Sequence, residues 1–232
     1  MTVKPHPLCL LAVEELQEYL RTQQQWVHNF GLDDRQEGNI IGKMFGVLVV
    51  ETPQKKIEYL WAFSGKLADR NLFIRFVPPV FDTLCQNSFL SAGMKRLSEM
   101  GLKIENLKEQ QFDGYEKQVQ SLQKERRKFS VALQHRLFES YHFLNQEGDE
   151  KSLIQLFKEA GYKNPPAGAG ECAAPKLLQY AFQHQLRPLA LTEFWWGKSP
   201  KSATWKHGHF YAPCKEKCEP ILSHMLKGIN GI

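Results

Sequence analysis

The 232-residue chain has no apolar run approaching the roughly 20 residues that cross a bilayer, so no helical membrane anchor is expected. Its N-terminus lacks a basic region followed by a long apolar segment. Leu8 to Val13 is too short for one and runs into Glu14 and Glu15, so no secretory leader is expected either. Cysteine is scarce. The five present are odd in number and scattered, which argues against a disulfide scaffold and for a cytoplasmic protein. No internal repeat and no low-complexity tract is visible. Neither sign of charge dominates: 30 Lys and Arg against 25 Asp and Glu leave a net charge of +5, which suits a nucleic-acid partner and equally suits many enzymes. Hydrophobic residues make up 42%, enough to bury a core without covalent staples.

Several stretches have a readable local preference. Val13 to Trp26 carries apolar residues at Val13, Leu16, Tyr19 and Leu20, one face of an amphipathic helix. Lys43 to Gly65 reads as a β-hairpin. Met44 to Val50 is a continuous apolar run, expected to be buried on both faces; Thr52-Pro53-Gln54-Lys55-Lys56 is the turn, and Ile57 to Phe63 returns. Pro78-Pro79 then breaks any ladder.

Phe89 to Asn145 is poor in glycine and proline and rich in Lys, Glu, Gln and Arg, with apolar residues at helical spacing and a heptad step from Leu122 to Phe129. A long helical hairpin or short coiled coil is expected there. Lys124, Arg126, Arg127 and Lys128 form its basic node, which is either a solvated face with intrahelical ion pairs or a phosphate-contacting patch for RNA. Gly148 to Ser152 reads as a turn into a helix over Leu153 to Ala160 that Gly161 terminates.

The chemistry is concentrated between Gly168 and Cys218. Cys172 stands at the start of a predicted helix whose first turn holds Pro175. A strand follows over Leu189 to Gly197, carrying Glu193, Trp195 and Trp196; alternation puts one tryptophan in the core and the other outside, beside Lys198, Lys201 and Lys206, where it could stack on a base. A loop from Lys206 to Pro213 holds His207 and His209, and Cys214 opens a second predicted helix with Cys218 one turn on. Cys172, Cys214 and Cys218 are either three ligands of one tetrahedral ion, zinc, or three small buried residues. Glu171, Lys176, Glu193, Trp195, Trp196, His207 and His209 are the candidates to line such a site, and no residue is assigned as catalytic.

The order of ligand at a helix start, then strand, then Pro-Cys before a second helix resembles the zinc-dependent nucleoside deaminases, whose signature is H-x-E or C-x-E followed by P-C-x-x-C. The likeness implies a three-layer α/β core, a hairpin plus further strands flanked by helices, in which Met44 to Phe63 supplies the first two strands. Two departures stand out. The position two residues after the first ligand is Ala174, not the proton-shuttling glutamate, and the second pair is spaced C-x3-C. Glu171 or Glu193 could take the missing carboxylate's place only through an unusual geometry.

A second likeness covers most of the chain from about Gly38. Gly42 to Leu48, Ala62 to Gly65, Phe76 to Asp82, Gly168 to Leu178, Glu193 to Gly197 and Pro213 to Leu222 resemble the N-terminal extension of a bacterial branch of RluA-type RNA pseudouridine synthases. That resemblance implies an accessory, RNA-binding role, with rRNA or tRNA as partner and the uridine isomerisation carried out by a catalytic domain C-terminal to Ile232. The H-R-L-D-type motif of that domain is missing: His135-Arg136-Leu137 is followed by Phe138. The expected organisation is an α/β core from 1–88 and 146–232 with a helical arm from 89–145, an arm that could also pair with a second copy.

Overall fold

The computed structural model describes residues 2–110, 112–201 and 204–229. Two compact units divide the chain: residues 1–80 with 142–232, and residues 81–141. The whole is mixed α/β, with six α-helices and an antiparallel four-stranded sheet among the described residues. None of those helices is long and apolar enough to cross a membrane.

In the first unit the hairpin is β1 (Lys43–Glu51) and β2 (Ile57–Phe63), antiparallel with Val47 opposite Trp61. The turn closes through Thr52 N–H to Lys56 O at 2.8 Å. Phe45 through Val50 are all buried, as a run covered on both sheet faces must be. β5 (Arg187–Trp196) pairs with the other side of β1, placing Gly46 opposite Glu193. Phe210–Tyr211 add a short fourth strand, β6, beside β5, so the order is β2-β1-β5-β6. The sequence reading left 206–213 as a loop; a two-residue strand is too short to produce a periodic signal.

One face of the sheet packs on α1 (Leu10–Thr22), which buries Ala12, Val13, Leu16 and Leu20 at helical spacing. Phe45, Phe63, Trp61, Phe76, Phe194 and Trp196 fill the layer between, with Phe45 and Phe194 stacked at 6.0 Å. The other face receives α5 (Ala173–Gln183), in which Ala173, Ala174, Leu177 and Leu178 are fully buried. The approach is close at Gly46, where a Cβ would meet Ala173 Cβ and Leu177 Cδ1, each at 3.0 Å, and the neighbours would have to give way.

Around α5 lie β3 (His142–Leu144), β4 (Glu150–Ser152), α4 (Leu153–Glu159) and α6 (Glu219–Met225). The spacing predicts a helical segment running on to Asn145 and a turn over Gly148 to Ser152. Instead His142–Leu144 and Glu150–Ser152 pair as a small antiparallel ladder that buries Phe143 completely. α4 starts at a capping box, with Ser152 and Gln155 satisfying each other's backbone N–H, a feature of about 1 kcal/mol. His224 Nε2 donates to Phe143 O or Asp149 O, at 3.1 and 3.2 Å, tying α6 to that ladder.

The second unit is α2 (Phe89–Gln110) packed on α3 (Tyr115–Glu139), with Leu97, Met100, Ile104, Val119, Leu133 and Phe138 buried. Arg126 Nε donates to Leu97 O at 3.2 Å, Arg96 pairs with Glu125 at 3.5 Å, and Arg96 lies over the Phe129 ring at 4.5 Å. Part of the basic node is therefore engaged in holding the two helices together.

The contact at Gly46 yields a stability prediction. Gly46→Val should lower the unfolding free energy by about 1–3 kcal/mol, because overpacking forces α5 off the sheet. Urea denaturation checks it, and an unchanged midpoint would contradict the close approach.

Candidate metal centre

α5 and the segment after β6 bring three thiols together. The backbone enters α5 through Gly168 and Gly170, both at positive φ (76° and 87°), conformations that only glycine adopts freely. Cys172 is the N-cap residue of α5, in extended conformation, and its side chain makes no capping hydrogen bond, so the thiol is left for other work. Cys214 to Cys218 form one turn closed by Cys218 N–H to Cys214 O at 3.0 Å. The expected helix opening on Cys214 is corrected here: α6 begins at Glu219, after Cys218, with Pro220 in its first turn where no N–H is required. That turn aligns Cys214 and Cys218 with Sγ atoms 3.4 Å apart.

The three sulfurs of Cys172, Cys214 and Cys218 lie within 4.8 Å of one another, and no His, Asp or Glu joins that cluster among the described residues. Four-coordinate zinc with bonds of about 2.3 Å keeps its sulfurs about 3.8 Å apart, so the cluster is close to ligating geometry. In the protein as described the thiols satisfy one another. Cys214 titrates far below an ordinary thiol because the thiols of Cys172 and Cys218 and the N–H groups of Lys217 and Cys218 all donate to it. Cys172, bonded to Cys214, and Cys218, bonded to both, titrate above the ordinary value.

Glu193 stands beside them. From β5 its Oε1 accepts the N–H of Ala174 at 3.0 Å, so a strand side chain caps the first turn of α5 in place of a local one. It is 5% exposed, and burial raises its carboxyl to about 7 against the ordinary 4.5, opposed by the Ala174 bond. No cation pairs with it among the described residues.

A cavity of about 360 Å³ opens over this group. Cys172, Cys214, Cys218, Glu193, Glu171, Lys43, Lys217, Trp195 and Trp205 line it, together with Ser64 and Gly65. Trp195 and Trp205 stack at 5.8 Å and 19°, and Trp205 meets the edge of Tyr211 at 4.6 Å. The wall at Gly65 is pinned from two sides: its N–H donates to Glu171 O at 2.9 Å, and its carbonyl takes Lys176 Nζ at 3.2 Å.

The expected lining residues divide. Cys172, Cys214, Cys218, Glu171, Glu193 and Trp195 face the cavity. Lys176 does not. It is 3% exposed behind the wall, bonded to Phe63 O and Gly65 O and lowered to about 8 by burial. Trp196 belongs to the core on the opposite sheet face, as strand alternation requires. His207 and His209 are exposed and stand away from the thiols; His207 Nδ1 accepts the Gly197 N–H at 3.0 Å and its ring abuts Trp196, while burial lowers its pKa. Lys43, Lys217 and Trp205 were not expected. The first had only been read as the start of a strand, and nothing in the local pattern marks the other two.

The raised carboxyl of Glu193 makes metal-free stability depend on pH. Its folded value lies above its unfolded one, so the folded form binds the proton more tightly. The resulting stability is full below about pH 4.5 and is lost as pH rises through about 7. The shift corresponds to an order of 3 kcal/mol. Glu193→Gln should flatten that part of the profile, measured by denaturation of chelator-treated protein across pH 4 to 8. No family model, no curated protein and no solved structure matches the chain, so what this centre does rests on its own geometry.

Proposed function

We propose that the chain carries a zinc-dependent hydrolytic centre of the deaminase type, in which Cys172, Cys214 and Cys218 hold one ion and leave its fourth position open to the cavity. The observation that carries this reading is the convergence of three thiols beside a buried carboxylate that no cation balances. An isolated buried charge costs several kcal/mol, and a divalent ion held by the neighbouring thiols would offset that cost for Glu193. Thiolates are soft donors that favour zinc over magnesium or calcium. Three protein ligands with a vacant fourth position are the pattern of catalytic rather than structural zinc. Zinc held by these thiols would supply Lewis-acid chemistry at the cavity. The chain's own contribution is the lining: stacked Trp195 and Trp205 offer apolar surface, and Lys43 and Lys217 add positive charge.

The strand order supports the likeness to the deaminase core. The hairpin β1–β2 is followed on the far side of β1 by β5, with the Cys172 helix between β2 and β5 in sequence and the Cys214 turn after β5. Protein loaded with zinc should contain one equivalent, with X-ray absorption reporting three sulfurs and one lighter atom. Cys214→Ser should lose most of the metal. Absence of zinc, or a fourth sulfur, would end this reading. Ammonia release from cytidine or adenosine is the activity to measure; a loaded centre that turns over neither would be a degenerate relative that keeps the metal.

A second reading, an accessory region serving an RNA pseudouridine synthase, is favoured by where the resembling blocks fall. Residues from five of the six blocks, Gly42 to Leu48, Ala62 to Gly65, Gly168 to Leu178, Glu193 to Gly197 and Pro213 to Leu222, contribute to this cavity, and Phe76 to Asp82 does not. On that reading the basic face of α3 contacts RNA. The isolated chain should then bind structured RNA at low salt, with affinity falling steeply as salt rises. Charge reversal at Arg126 and Arg127 should weaken binding at least about tenfold if those side chains meet phosphates. Unchanged affinity in an electrophoretic shift assay would remove α3 as the contact surface.

A further inference from the structure

The signature that this centre resembles keeps its glutamate two residues after the first ligand, on the helix. Here that position is Ala174, and the carboxylate arrives from the neighbouring strand instead. Glu193 Oε1 accepts the Ala174 N–H at 3.0 Å, which brings the strand carboxylate to the backbone of the very residue that lacks one. Oε2 has no hydrogen-bond partner among the described residues, and Glu193 lines the same cavity as the three thiols. Gly46 stands opposite Glu193 in the ladder, so the strand that carries the carboxylate lies directly beneath the start of α5. Glu171, the other carboxylate on the cavity, is a poorer candidate: it is half-buried and within electrostatic reach of both Lys43 and Lys176.

We propose that Glu193 is the proton-carrying residue of the centre, a carboxylate relocated from the helix to β5. The proposal rests on the hydrolytic reading above. In the step, one O–H bond of the attacking water breaks and its proton passes to Glu193 Oε2 as the water oxygen bonds to the substrate carbon. The bond from that carbon to the departing group then breaks, the same proton leaves with that group, and the carboxylate ends as it began.

Cobalt(II) and azide test this without a substrate. The full chain is loaded with cobalt(II) and titrated with azide at about pH 8, followed by the visible absorption bands. Glu193→Gln keeps an oxygen for the Ala174 N–H, so the cap on α5 is retained while the charge is removed. The expected result is one equivalent of cobalt in both proteins and azide binding at least about tenfold tighter in Glu193→Gln, because a buried like charge near the fourth position has been removed. Equal azide affinity in Glu193→Gln and the unaltered chain overturns the role of Glu193 and leaves the metal centre standing. Loss of cobalt in Glu193→Gln also overturns it, since Glu193 would then be a ligand. Failure of the unaltered chain to take up cobalt ends the metal reading and this inference with it.

Discussion

The distance between α5 and the sheet governs everything at this centre. α5 is buried on nearly all sides, as a core helix is, and its N-terminus meets the cavity. It lies on β1 at Gly46, where there is no side chain to hold it off, and its first turn is bonded across to Glu193 on β5. Those two contacts fix Cys172 at the rim of the sheet. The turn from Cys214 to Cys218, packed against α5 through the start of α6, then has one place to put its thiols. A helix resting a few ångströms higher would leave the same sequence with three separated cysteines.

Burial of charge is the second constraint. Lys176 and Glu193 are both nearly inaccessible, yet they do not pair with each other. Lys176 spends its hydrogen bonds on the carbonyls of Phe63 and Gly65 and lies 5.0 Å from the Phe63 ring centre, so it reads as the fastening of β2 to α5. Glu193 has one backbone N–H and a cavity. Buried polar groups in folded proteins are nearly always satisfied, and a carboxylate that stays half-satisfied beside thiols is the kind of group a ligand or ion completes. The cavity wall continues this division of labour, with Glu171 and Lys43 near solvent and the aromatic pair of Trp195 and Trp205 covering the opposite side.

Much of this was legible in the chain before folding was considered. The hairpin, the amphipathic helix near the N-terminus, the two long helices and the helix after Ser152 follow from apolar spacing and turn chemistry. The candidate ligands were legible too, since three of the five cysteines fall between Gly168 and Cys218. Short ladders were not: β3, β4 and β6 are two or three residues each, below the length at which alternation differs from chance, and β3 had been absorbed into the preceding helix. The lining residues that the sequence reading overcounted, Lys176, Trp196, His207 and His209, share a cause. Proximity in sequence to Cys172 or to the Trp pair says nothing about which face of the sheet a side chain takes or which side of a wall it lies on.

The sequence by itself determined which segments prefer helix or strand, because those preferences depend on neighbours within a few residues. It also determined that reduced thiols, a carboxylate and a tryptophan pair would be available within one fifty-residue stretch. Only the tertiary structure decided that Cys172 meets Cys214 and Cys218, that Glu193 rather than Glu171 stands buried at their side, and that Lys43 and Lys217 complete the cavity. Such choices are made by long-range pairing of β1 with β5 and by the close seat of α5 at Gly46. Contacts between residues more than a hundred positions apart leave no mark in any local window of the chain.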